Sequence, residues 1–299
     1  MSVNLYNPHL RVNKTTQSIM RDVCIALLPA AIGSVIFFGV NSLIIILASV
    51  IACVACEAIW ELLHKQPLTI LDFSAVVTGM LIAFNVSSQT PLWVVVLAAV
   101  FSIIVVKQFF GGIGSNVLNP ALMGRLFMMV VYPGSIMSYA LPNGVDASSA
   151  ATILSGGEAN YSFIDAFIGR VPGALGETSA LLLLIGFAYL VYKKEVNVQI
   201  SGAFFLSAAV MVAIMYGPSE VLMHLVSGGL VLGGCFMLTD YNLAQSKGNV
   251  LLGVVAGILV VIFRKWAFYP EGVCYAILIV NTLSVLISGI KDKHIYGVN

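Results

Sequence analysis

Charge is what this chain has least of. Only 9% of its 299 residues are Asp, Glu, Lys or Arg, and they nearly cancel to a formal net charge of +1. A soluble domain carries about 25% charged residues, so a water-facing globular surface is excluded. The small net charge removes any electrostatic case for nucleic acid as a partner. Apolar–polar alternation is also missing, which excludes the strands of a membrane β-barrel. A cleaved signal is not expected either: Met1 to Arg21 is polar (Asn4, Asn7, His9, Arg11, Asn13, Lys14) and has no apolar core. No CxxCxxC motif is present, nor a GxGxxG after a strand, so this chain is not expected to hold iron–sulfur clusters or bind NAD. The five Cys (24, 53, 56, 235 and 274) lie in or beside apolar runs, which argues against a disulfide framework. Cys53-Val54-Ala55-Cys56 has CxxC spacing, but it sits inside a helical run without a His or a second pair. Packing is the simpler role there, with a metal or redox role the alternative.

What the chain has in abundance is hydrophobic sequence, 60% of it, with a mean hydropathy of +1.01. A span needs about 20 apolar residues, and helices alone satisfy their own backbone groups in lipid. An all-α polytopic membrane protein follows. Ten candidate spans can be drawn, at about 23–40, 42–59, 73–86, 91–106, 120–133, 179–192, 200–216, 221–238, 250–263 and 272–290. Those at 73–86, 120–133, 179–192 and 250–263 are short, which predicts some broken helices. With a cytoplasmic N-terminal segment, 1–22, the inside collects Arg11, Lys14, Arg21, Lys65, Lys107, Lys193, Lys194, Lys247, Lys291 and Lys293. The outside holds only Arg170, Arg264 and Lys265, beside the interfacial aromatics Trp266, Phe268 and Tyr269, and Arg125 falls within a span. That asymmetry places both termini inside and the polar stretch 134–178 outside. Five spans on each side of that stretch give two halves of opposite orientation, as in inverted-repeat transporters. Ser74-Ala75-Val76-Val77-Thr78-Gly79 loosely echoes Ser227-Gly228-Gly229-Leu230-Val231-Leu232. A single integral membrane domain, 1–299, is expected.

Four stretches are too polar or too Gly-rich to face lipid. The first is Asp72 to Gly79. The second is Lys107-Gln108-Phe109-Phe110-Gly111-Gly112-Ile113-Gly114-Ser115-Asn116-Val117-Leu118-Asn119-Pro120. The third is Gly176-Glu177-Thr178-Ser179, and the fourth runs from Ser227 to Thr239-Asp240. In the second, glycines let backbone approach a planar ligand, and Asn116 and Asn119 each offer a donor and an acceptor to its edge. Pro120 at a helix start leaves following N–H groups for a ligand. A tight turn with small-residue helix packing would explain the same residues. Thr178 or Ser179 could cap a helix, or that helix N-terminus could face a phosphate. Arg170 could pair with the phosphate or simply be solvated.

In order, Asn7-Pro8-His9, Asp72 to Gly79, Val105 to Gly114, Asn119-Pro120-Ala121, Leu175 to Ala180 and Ser227 to Asp240 resemble one known family, and the likeness covers nearly the whole chain. The family is the D-type subunit of the Rnf ion-translocating ferredoxin:NAD oxidoreductase, related to the B-type subunit of the sodium-pumping NADH:quinone reductase. The resemblance implies FMN joined through its phosphate to Thr152, by a separate flavin transferase working outside the cytoplasm. Asp146, Ser149, Ala151 and Thr152 match the motif D-x-x-(S/T)-(G/A)-A-T, with Ala150 where many members have Gly. It implies further a non-covalent riboflavin, assigned to the region of Asn116, Asn119, Gly112, Gly114 and Lys107, while Glu177, Thr178 and Arg170 would lie near the FMN.

The implied role is one segment of a redox chain in a bacterial cell membrane. Electrons pass from reduced ferredoxin through partner iron–sulfur and NAD-binding subunits, and Na⁺ or H⁺ is driven outward. The flavin performs the electron transfer, and no catalytic acid or base is required of this subunit. The competing expectation is a solute or ion channel of urea-transporter-like fold, with Asp72, His224 and Asp240 along an ion path, although His224 could equally be a packing residue. A purely structural scaffold would leave the outer loop and the Asn/Gly stretch without purpose.

Overall fold

The computed structural model describes residues 15–134, 142, 162–239, 249–266 and 272–295, with the side chains of the last helix described to 287. Asp146, Ser149, Thr152 and Asp240 lie outside the described residues. All regular structure among the described residues is helical. In chain order the helices are α1 Thr16–Phe38, α2 Val40–Leu63, α3 Ser74–Phe84, α4 Leu92–Val100, α5 Pro120–Val131 and α6 Phe163–Ile168. There follow α7 Ala180–Lys193, α8 Val198–Met215, α9 Val221–Val226, α10 Leu230–Leu232, α11 Asn249–Trp266 and α12 Val273–Ile295. α4 continues as a π-helix through Phe101–Gln108, and α10 as one through Gly233–Met237.

Each of the ten apolar runs carries helix, but their lengths differ. α1, α2 and α8 are long and apolar enough to cross a membrane by themselves. α3, α5 and α7 are shorter apolar helices. The run at 221–238 is broken: Pro218–Val226 and Leu230–Met237 meet at a bend of 70°. The break falls on Ser227-Gly228-Gly229, where Gly228 and Gly229 take φ of 54° and 58°. Glycine enters that left-handed region without the cost of a Cβ. Phe73, also left-handed (φ 65°), makes the matching entry into α3 after a single turn at Ile70–Asp72.

Two sequence boundaries move. α1 begins at Thr16, capped by the Thr15 hydroxyl, inside the segment expected to precede the first span. Its polar first turns have partners: buried Asp22 accepts a hydrogen bond from Tyr189 on α7 (3.0 Å) and lies 3.7 Å from Lys193. The stretch 134–178 does not stay a loop to its end. It forms α6 and then folds inward, burying Val171, Ala174 and Leu175, and the N–H groups of Leu175 and Gly176 donate to Val86 and Phe84 carbonyls at and beyond the end of α3.

Packing follows small residues. α1 lies along α7, where a Cβ on Gly186 would stand 1.9 Å from the Ala26 carbonyl oxygen. α8 lies along α11 at Gly257, within 2.4 Å of the Phe204 carbonyl by the same measure. Close backbone approach is how helices gain contact where lipid offers no hydrophobic drive. Ile32, Ile36, Ile51, Leu206, Val210 and Ile214 stay exposed on the outer faces of α1, α2 and α8, as lipid-facing residues do.

Candidate functional site

A cavity of about 180 Å³ lies where α1, α3 and α5 begin and α7 ends. It draws three of the four polar stretches to one place: Ser74 and Thr78 from the first, Lys107, Gly114, Asn116 and Asn119 from the second, and Thr239 from the fourth. Val77, Leu81, Pro120 and Phe236 supply an apolar wall. The mixture of a flat apolar surface and a few converging polar groups is that of a small-molecule site, although the volume is below the roughly 300–1,000 Å³ usual for drug-sized ligands.

Local sequence explains how each group arrives. The π-helical turns end on Lys107 and Gln108, both buried. Gly111, Gly112 and Gly114 follow with φ of 105°, 88° and 82°, and a Cβ on Gly114 would meet nothing within 4 Å. That backbone reverses direction and delivers Asn116 and Asn119. The Asn119 side-chain oxygen caps α5, accepting from the N–H groups of Ala121 (3.0 Å) and Leu122 (3.3 Å), so its amide nitrogen carries whatever donor role it has toward the cavity. Asn116 donates to the Leu118 carbonyl at 3.1 Å. The two amides are thus partly committed to shaping the turn, so both the ligand role and the turn role drawn for this stretch have a physical basis.

Lys107 is anchored from behind. Its ammonium donates to Glu57 of α2 (2.5 Å) and to the Ser74 hydroxyl (2.6 Å), and Gln108 donates to the same Glu57 oxygen (2.8 Å). The Ser74 hydroxyl and N–H in turn donate to Asp72 at 2.5 and 2.7 Å. Asp72 therefore organises the start of α3. Glu57 belongs to none of the four polar stretches, and a carboxylate inside the apolar run of α2 is the signal that could have found it.

A second polar cluster occupies the far ends of the same helices. Arg125 of α5 forms a buried ion pair with Glu177 and donates to Asn85, which follows α3. The Glu177 carboxylate rests against Gly229, where a Cβ would stand 2.7 Å from it. Arg264 of α11 donates to the carbonyls of His224, Ser227 and Gly228 (2.7, 2.8 and 2.9 Å), so it satisfies the broken helix end. Only about 10 Å³ remains open here, room for no more than a water-sized guest.

Glu177 and Thr178 thus have structural employment. Glu177 is held by Arg125, Thr178 is buried, and Ser179 is the residue that caps α7 (3.4 Å to the Leu182 N–H). Gly169 and Phe37 cover that helix start. Arg170 is exposed just after α6. His224 packs against Tyr216, the ring centroids 4.4 Å apart and the planes tilted by 37°, and Gly112 stands beside Gln108 rather than in the cavity lining. All five cysteines are free thiols.

The profile of the family described as "NQR2, RnfD, RnfE family" matches residues 3–297. The chain is 40% identical to the D-type subunit of the "Na(+)-translocating ferredoxin:NAD(+) oxidoreductase complex" of Acetobacterium woodii, over 98% of this chain and 94% of that protein. It is 34% identical to the D-type subunit of the "Proton-translocating ferredoxin:NAD(+) oxidoreductase complex" of Clostridium ljungdahlii, over 97% and 95%. It is 30% identical to the D-type subunit of the "Ion-translocating oxidoreductase complex" of Stutzerimonas stutzeri, over 96% and 94%.

Proposed function

The chain belongs to the NQR2, RnfD, RnfE family, and we propose that it is the D-type membrane subunit of an ion-translocating oxidoreductase passing electrons between reduced ferredoxin and NAD. The observation that carries this reading is the end-to-end likeness to the D-type subunits of such complexes, 40% identical over 98% of the chain. Partner subunits would supply the iron–sulfur and NAD sites for which this chain has no motif. The pumped ion would be Na⁺ or H⁺, the two that the names of its relatives carry.

Two flavins complete the proposal: FMN joined covalently at Thr152 by a flavin transferase, and a second, non-covalent flavin, riboflavin, in the 180 Å³ cavity. The cavity's donor set fits the second. Lys107, Asn116 and Asn119 offer hydrogen bonds to a ring edge rich in carbonyl and nitrogen acceptors, the Ser74 and Thr78 hydroxyls, whose hydrogens go to Asp72 and the Ser74 carbonyl, can only accept, and Phe236 and Leu81 offer an apolar face. The flavin supplies reversible electron transfer when bound. The chain's own part is to bind and orient it, to keep water from it, and to set the charge around it. Thr152 rests on its motif, with Asp146 and Ser149, and exposed Arg170 would be available to a phosphate outside the membrane.

The proposed architecture is two inverted five-helix halves of urea-transporter-like form, with both termini cytoplasmic and the flavin loop outside. Three parallels support it. α1 packs on α7, its counterpart; α5 meets α12; and Lys107 and Arg264 close the left-handed entries into α3 and α10 at opposite ends. The bent pair α9–α10 is also what a channel would contain, which keeps a non-redox transporter as the second reading. Deleting this subunit tests the first: membranes should lose ferredoxin:NAD oxidoreductase activity and recover it on complementation. Full activity without the subunit would assign the chain to the second reading.

A further inference from the structure

Glu57 stands behind the cavity wall, not in it. It is 1% exposed, and one of its carboxylate oxygens holds both Lys107 (2.5 Å) and Gln108 (2.8 Å). The other oxygen, Oε2, is buried with no hydrogen-bond partner among the described residues. Lys107 and Ser74 do line the cavity, and two of the three ammonium N–H groups are used on Glu57 and Ser74. The third is left for a group inside it. A buried ion pair is weak evidence of a stability role, since well-packed apolar residues often do as well or better. A carboxylate that keeps one oxygen unsatisfied is a still poorer stabilising device. Its effect is on charge: among the described residues Lys107 is the one cation at the cavity wall, and Glu57 offsets it within hydrogen-bonding distance at low dielectric.

Resting on the reading of this cavity as the second flavin site, we infer that Glu57 is a positioning residue that holds Lys107 against the bound ring and sets how much positive charge the ring experiences. A flavin that gains two electrons and one proton gains one negative charge, the electrons coming from the redox chain of the complex. A cation at its edge favours that change, and a carboxylate paired to the cation moderates it. Asp72, reaching the same ammonium through Ser74, moderates it further, as does Glu195 in the cavity wall itself, and both are unchanged in the variants compared below.

The test is a redox titration of the non-covalent flavin in the purified complex, comparing Glu57→Gln and Lys107→Met with the unmodified protein. Glu57→Gln preserves shape and can still accept from Lys107, but it removes the negative charge. Its flavin potential should rise, by about 30 mV for each tenfold gain in the reduced-to-oxidised ratio of a two-electron couple. Lys107→Met should shift the potential downward. Glu57→Asp, which keeps the charge, should restore most of the original value. Retained flavin with an unmoved potential in Glu57→Gln, or shifts in one direction for both variants, would overturn the inference while leaving the cavity reading intact. Loss of flavin in both Glu57→Gln and Glu57→Asp would also overturn it, making Glu57 a packing residue. A complex that yields no non-covalent flavin in its unmodified form would remove the cavity reading, and this inference with it.

Discussion

Arg125 of α5 and Glu177, on the approach to α7, form an ion pair buried between the first and second halves of the chain, 52 residues apart in sequence. Both side chains are 4% exposed. The pair ties the end of the polar stretch 134–178 to the helix that starts at the cavity, with Asn85 and Gly229 closing around it.

Breaking this pair from one side takes a charged partner from a buried charge. Glu177→Ala and Arg125→Ala should each destabilise the protein by about 3–5 kcal/mol. The double variant should cost less than the sum of the two. Thermal unfolding of the purified complex in detergent, read as a double-mutant cycle, measures the coupling. Additive effects would mean that the two residues act independently.

Gly186 makes a steric prediction. Any Cβ there would meet the Ala26 carbonyl of α1, which is backbone and cannot rotate away. Gly186→Val should separate α1 from α7 and abolish accumulation of the folded protein. Gly202→Ala, at a position with nothing within 4 Å, should leave yield and melting temperature unchanged. Equal behaviour of the two variants would contradict the packing described for α1 and α7.

Asn119 combines a helix cap with a place in the cavity, and two substitutions separate these roles. Asn119→Ala loses the cap, about 1 kcal/mol, and should also lower the non-covalent flavin recovered from the complex. Asn119→Asp keeps an oxygen for the cap but loses the amide donor. It should hold the melting temperature while still losing flavin. Flavin content unchanged in Asn119→Asp would remove this residue from the site.

Much of this arrangement is legible in the sequence, and the reasons differ by feature. The apolar runs locate the helices because hydrophobicity is a local property. Ser227-Gly228-Gly229 marks the broken helix because a left-handed turn selects glycine. The pairings of Lys107 with Glu57 and of Arg125 with Glu177 are not legible, since each joins residues about 50 apart whose meeting depends on how α2, α4 and α5 pack. The scarcity of charge is the usable hint: a carboxylate or guanidinium inside an apolar run needs a partner at the same depth. Glu177 reads as a neighbour of an outer phosphate because the residues after it suggest a helix start. The inward fold of Val171 to Leu175 also brings it to Arg125, a partner that no local pattern announces.

The central claim, that this chain carries electrons through a flavin tethered at Thr152, is tested most directly on a denaturing gel. The complex is produced in a host that expresses the flavin transferase, and the gel is viewed under ultraviolet light before staining. A fluorescent band at 31.8 kDa is expected for the unmodified subunit and should vanish in Thr152→Ala with no loss of protein. A dark unmodified band, or fluorescence that survives in Thr152→Ala, would contradict the account.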